Sequence, residues 1–133
     1  MSAIVIDGHN ALLGRLASYS AKQALLGKEI VIVNCKDVVV SGSREMILRE
    51  YRIVRKKGGS SLKGPVISRV SEKMVKRTIR GMLPHTQTRG LLAFKRIRGY
   101  NGMPEEYKDV KKIKAGKEKH IKTVRMEDIS RDL

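Results

Sequence analysis

Two apolar runs of four residues, Ala3–Ile6 and Ile30–Val33, bracket a segment in which Leu13, Leu16, Ala17, Ser20 and Ala24 recur at helical spacing. Both runs are short and dominated by Ile and Val, the pattern of strands buried on both faces. Asp7-Gly8-His9-Asn10 ends the first run in a turn, with Asn10 placed to cap the helix and Gly27 to stop it. Strand, helix and strand within about thirty residues make a βαβ unit, which sets the two strands parallel in one sheet. This pattern constrains the fold more than any other, because a parallel pair must be covered by its crossover helix.

The remaining segments are shorter. Asp37–Val40 reads as a further strand before the turn Ser41-Gly42-Ser43, and Ile47, Leu48, Tyr51 and Val54 then give a second helix running into Arg55-Lys56-Lys57. Gly58–Pro65 reads as a loop. Ser71 is placed to cap a third helix with Val75, Ile79 and Met82 on its apolar side and Lys73, Lys76, Arg77 and Arg80 on the other. Leu83-Pro84 ends it, and Thr86 or Thr88 opens a short helix through Phe94 and Ile97. Gly99–Pro104 is turn-rich, and apolar residues resume only at Ile121, Val124, Met126 and Ile129. At 133 residues the chain has room for one α/β domain: a neutral βαβ scaffold over about 1–43, a basic helical and loop part over about 52–98, and a mixed-charge tail over 99–133.

Charge separates these parts. The chain carries a net charge of +16, yet residues 1–43 hold four cations against three acids. Residues 52–98 hold 14 cations and a single acid, Glu72. A merely solvated face mixes signs, so this block implies a polyanionic partner, nucleic acid rather than a membrane. Aromatic residues make up 4% of the chain, too few for a sheet platform that stacks successive bases. No helix-turn-helix, zinc-finger or basic-zipper pattern offers a reader of the DNA groove. The grip falls on phosphates and on folded shape, which favours structured RNA.

Several chemistries find no support. The lone Cys35 forms neither an internal disulfide nor a structural zinc site, and His9, His85 and His120 lack ligand spacing. No apolar run approaches a membrane span or a signal-peptide core, which gives the expectation of a soluble, reduced, cytoplasmic protein. There is no phosphate-binding Gly-Lys loop, no dinucleotide fingerprint and no nucleophile elbow, so neither a cofactor nor a small-molecule substrate is expected. One motif points elsewhere. Asp7-Gly8-His9-Asn10 after a buried strand resembles the first acidic motif of PIN-like metal-dependent ribonucleases. Such sites need several converging carboxylates, and only Asp37 is a second candidate here. A turn and helix cap explain the same residues.

Larger stretches carry a stronger likeness. Asp7, Leu12-Leu13-Gly14-Arg15-Leu16-Ala17-Ser18, Ala24-Leu25-Leu26-Gly27-Lys28, Val33-Asn34-Cys35, Ser41-Gly42, Gly64-Pro65 and above all Arg77-Thr78-Ile79-Arg80-Gly81-Met82-Leu83-Pro84-His85 with Arg89-Gly90 following stand in order along the chain. With Met103–Tyr107 and Glu127–Leu133 they resemble the large-subunit ribosomal protein L-thirteen family in its archaeal and eukaryotic-like form. The resemblance implies a small, largely parallel sheet flanked by helices. It also implies binding to large-subunit ribosomal RNA beside neighbouring ribosomal proteins, as a structural and assembly-supporting role without catalysis. Carried onto the matched positions, it marks Lys76, Arg77, Arg80, His85 and Arg89 as RNA contacts. Charge alone adds Arg52, Arg55, Lys56, Lys57, Lys63, Arg69, Lys73, Lys95, Arg96 and Arg98. Thr86-Gln87-Thr88 stands where related members often have Lys-Thr-Lys, and Ile97–Tyr100 is more polar than the strand expected there.

Overall fold

The computed structural model describes residues 3–55, 70–114 and 123–132. Strand β1 (Ile4–Asp7) pairs in parallel with β2 (Ile30–Val33), and β2 pairs in parallel with β4 (Ile97–Gly99), giving the sheet order β1-β2-β4. Helix α1 (Leu13–Leu25) makes the first crossover. The second passes through a one-turn 3-10 helix at Cys35–Asp37, β3 (Val39–Ser41), α2 (Arg44–Arg55), α3 (Ser71–Gly81) and α4 (Thr88–Lys95). Near the end of the chain β5 (Thr123–Arg125) pairs antiparallel with β3, and α5 (Met126–Asp132) follows at once.

Alternation along the strands divides the sheet into two unequal faces. Ile6, Ile30, Ile32 and Ile97 point into the main core with Leu16, Ala17 and Ala24 of α1, Val75 and Ile79 of α3 and Ala93 of α4. Val5, Val31 and Val33 point the other way and are covered by Tyr100 and Tyr107, whose rings lie 5.8 Å apart. The helices therefore stack on one face and a thin aromatic layer closes the other. Ile113 extends the sheet edge beside β1, its N–H donating to the Val5 carbonyl while its own carbonyl accepts from Asp7.

The end of α1 shows how closely local sequence dictates structure. Gly27 sits at φ +95°, its N–H donates to the Ala24 carbonyl, and the Lys28 N–H reaches the Gln23 carbonyl. This double closure satisfies two orphan carbonyls and needs a left-handed residue, which glycine supplies without strain. The start of α1 differs from the expected Asn10 cap. Asn10 adopts φ +57°, and the N-cap position falls on Leu12, because Ala11 and Leu12 first bridge to Val39.

Three further expectations are corrected. Ser71 is the first residue of α3 and is buried; the Glu72 N–H is satisfied instead by the Asn101 side-chain oxygen at 2.9 Å. Met82 is exposed because α3 ends at Gly81 and the chain turns, leaving Leu83 to fill the core position. Ile97 opens β4 rather than extending α4, since the backbone at Arg96 and beyond pairs with β2. The third strand exists despite its polar middle residue, because Ile97 supplies the buried contact and Arg98 points to solvent.

Candidate nucleic-acid interface

Helix α3 buries Met74, Val75 and Ile79 and turns Lys73, Lys76, Arg77 and Arg80 outward. Lys73 and Arg80 are exposed, while Lys76 and Arg77 lay their stems along the protein and are half-buried. The Lys76 ammonium sits 5.1 Å from the centre of the Phe94 ring, so α4 steadies a cation of α3 through its π face. None of these four cations forms an ion pair among the described residues. Their charge is available to a partner.

The turn joining α3 to α4 is closely packed against α4. A Cβ on Gly90 would lie 2.0 Å from the Pro84 carbonyl oxygen, so only glycine lets α4 pack against this turn. His85 Nδ1 lies 3.2 Å from the Arg80 carbonyl and 3.3 Å from that of Leu83. Both oxygens can only accept, so Nδ1 carries the proton and His85 caps the end of α3. Arg89 is exposed and donates through Nε to the Gln87 side chain, and Lys95 and Arg98 are exposed further along.

Two of the cations singled out in the sequence hold the fold together. Arg96 donates to the Ala24 carbonyl at 3.0 Å, tying the end of α4 to the end of α1. Arg52 donates to the Asp132 backbone carbonyl at 2.9 Å and fastens α5 to α2. Arg55 is the last residue of α2, with its side chain outside the described set; Lys56, Lys57, Lys63 and Arg69 also lie outside the described residues.

The carboxyl ends of β1 and β2 hold the polar cluster that suggested a nuclease. The Asp7 carboxylate accepts from the His9 N–H at 3.0 Å and the Asn34 amide at 3.1 Å, and Lys114 lies 3.8 Å away. Burial pushes this carboxyl up, but those two hydrogen bonds and the charges of Lys114 and His9 outweigh it and hold the pKa below its usual value. Asp37 faces His9 at 3.6 Å and Arg125 at 3.4 Å. Each carboxylate is thus engaged by a neighbouring cation. No group of three His, Cys, Asp or Glu side chains suited to a metal occurs among the described residues. The nuclease reading finds no support. Cys35 is equally unsuited to chemistry: it is fully buried, and burial pushes its thiol up to about 12.

Known proteins supply the family of this chain. The sequence matches the family described as Ribosomal protein L13 over residues 1–106. The chain belongs to the ribosomal protein L13 family. It is 47% identical over 110 residues to the large ribosomal subunit protein uL13 of Methanosarcina barkeri, covering 82% of this chain and 78% of that one. The uL13 protein of Methanococcoides burtonii is 43% identical over 79% of this chain and 75% of its own. That of Caenorhabditis elegans is 40% identical over 85% of this chain, which spans 57% of the nematode protein. Archaeal and eukaryotic members alike therefore align with most of this L13-family chain. Among its described residues no helix is long and apolar enough to cross a membrane.

Proposed function

We propose that this L13-family chain is a structural constituent of the large ribosomal subunit in the cytoplasm. It binds folded large-subunit ribosomal RNA and supports subunit assembly beside neighbouring ribosomal proteins, without catalysis. The observation that carries this reading is the α3–α4 face, where Lys73, Lys76, Arg77, Arg80 and Arg89 have no acidic partner among the described residues; Lys95 and Arg98, also without an ion pair, lie toward Val31 and Tyr107 at the far side of the sheet. Phosphates are the groups such a face recruits, and a rigid helix pair places its cations at fixed spacing, so it selects shape as well as charge. Arg55, Lys56, Lys57, Lys63 and Arg69 extend the same positive stretch of sequence. His85, with Nδ1 turned to the Arg80 and Leu83 carbonyls, presents Nε2 as an acceptor, suited to a ribose 2′-hydroxyl rather than to a phosphate. Arg52 and Arg96 contribute through guanidinium donors left over from their internal bonds. The neutral βαβ unit serves as the scaffold and the basic middle as the contact region.

Co-sedimentation with large subunits through a high-salt wash tests the reading. The wild-type chain should stay with the subunit, and a stand-alone RNA-binding regulator would wash off. A variant carrying Lys76→Gln, Arg77→Gln and Arg80→Gln should be under-represented in the same pellet. Equal incorporation would reduce the α3 stripe to a solvated face.

A further inference from the structure

One cavity borders the phosphate-gripping face and shares Arg77 with it. Helices α2 and α3 stand apart over β3 and leave an open trough of about 470 Å³. Met46, Glu50 and Tyr51 line one wall, Met74, Arg77 and Thr78 the other. The walls follow from helical spacing, since residues three and four apart share a face. We propose that this trough receives one unstacked nucleobase of the RNA whose backbone the α3 cations hold. The proposal rests on the RNA-binding reading above and names what that reading omits, a base contact.

Four observations converge on a base. The volume is that of a small-molecule site, large for one side chain and small for a folded segment. The walls offer an aromatic ring, Tyr51, and one exposed polarisable thioether, Met46, surfaces on which a π face packs well, over a floor closed by the buried Met74. Tyr51 is half-buried there, and its phenol is pushed up by burial, with Glu50 adding to the effect and Arg77 opposing it. Arg77 belongs to both the trough wall and the cation stripe, so a phosphate held on the stripe brings its own base to the trough.

The polar groups indicate which base. Thr78 donates its hydroxyl proton to the Met74 carbonyl at 3.2 Å and so presents only lone pairs to the trough. Glu50 is a carboxylate with no ion pair among the described residues. An acceptor-lined wall favours adenine, cytosine or guanine, whose amino groups bring two donor protons, over uracil, whose single N3–H is flanked by two carbonyls that such a wall repels. An apolar peptide would fill the same space. Charge argues against one from a basic protein, because the trough lies in a chain of net charge +16 and opens beside the cation stripe.

Gly81→Leu provides the test. Gly81 lines the trough, its Cβ would meet nothing within 4 Å, and leucine favours the helix more than glycine does. The variant should therefore fold and fill the trough without changing any charge. The probe is transcribed large-subunit ribosomal RNA bound by the full chain, with dimethyl sulfate and kethoxal reporting base accessibility. Wild type should protect one unpaired adenine, cytosine or guanine. Gly81→Leu should lose that protection and bind about tenfold more weakly, with the salt dependence unchanged. Wild-type affinity with the same protection would overturn the trough proposal. So would unchanged RNA protection accompanied by loss of a neighbouring protein from assembled subunits. If the three-glutamine variant also binds the RNA normally, the RNA-binding reading itself falls; if it weakens while Gly81→Leu does not, only the trough does.

Discussion

Cations in two regions of this chain meet opposite fates. At the ends of β1 and β2 and along α5, nearly every charge has a partner: Lys114 faces Asp7, Arg125 reaches Asp37, Glu127 and Asp128, and Arg44 pairs with Asp132. Along α3 and α4 no cation forms an ion pair among the described residues, and neither does Glu72, the one acid of the basic block. The first region spends charge on fastening residues 123–132 to α2 and the Cys35–Asp37 turn, and Lys114 to the end of β1. The second leaves it uncompensated, at a cost in self-repulsion that an external polyanion relieves. Positive charge by itself is thus a poor guide to a binding face; the absence of neighbouring acids is the informative part.

Salt should separate the two regions most strongly. If about six cations reach phosphates, affinity for ribosomal RNA should fall roughly a thousandfold between ~50 and ~200 mM salt. The free protein should gain melting temperature over the same range, because screening relieves the α3–α4 repulsion more than it weakens exposed pairs. A flat binding curve would end the phosphate-gripping account.

Next in size are the two faces of α3. Ile79→Ala removes a side chain with no exposed surface and should cost about 2–5 kcal/mol in a denaturant titration. Combining Lys76→Gln, Arg77→Gln and Arg80→Gln should leave the fold near wild type, giving up mainly the Lys76–Phe94 contact. Its RNA-binding salt slope should become shallower by up to about three. An unfolded glutamine variant beside a normally melting alanine variant would mean that α3 faces the other way.

The paired region should respond on a smaller scale. Arg125 is about half-exposed, so Arg125→Gln should lower stability by less than about 1 kcal/mol and leave RNA affinity unchanged. Loss of RNA binding in that variant would merge the two regions into one surface. The smallest effect is acid-dependent. The folded pKa of Asp7 lies below its unfolded value, so its contribution is present above the unfolded pKa and is lost as pH falls through the folded one. Asp7→Asn should flatten that part of the stability profile in acid, and an unchanged profile would remove Asp7 from the network.

Much of this was legible in the sequence, for identifiable reasons. The β1–α1–β2 unit could be read because apolar runs and helical spacing report buried faces directly. The stop at Gly27 could be read because its geometry depends on neighbours in sequence. What escaped were features set by distant partners. Asn101 bonds the first turn of α3 from 29 residues away, and Ala11 and Leu12 delay α1 by bridging to Val39. Phe94 and Ile97 share a helical spacing, yet pairing with β2 draws Ile97 into a strand. Among the cations, nothing local distinguishes Arg96, bound to Ala24, from Arg98, which faces solvent. The trough escaped because Tyr51 and Val54 have the spacing of core residues, and only the gap between α2 and α3 leaves them partly open.

The parallel pairing of β2 with β4 also sets an order of events. β1, α1 and β2 meet through contacts close in sequence, whereas Ile97 reaches Ile30 only after the whole middle of the chain has been brought round. That middle is the stretch with 14 cations and one acid. Closing the sheet therefore gathers like charges while the conformational entropy of a long loop is still being lost. A polyanion present at that moment neutralises the gathering charge, so it lowers the barrier to finishing as well as relieving the repulsion in the finished protein. Refolding should accordingly run faster with an RNA fragment in solution than without one, making the partner a participant in the chain's own kinetics.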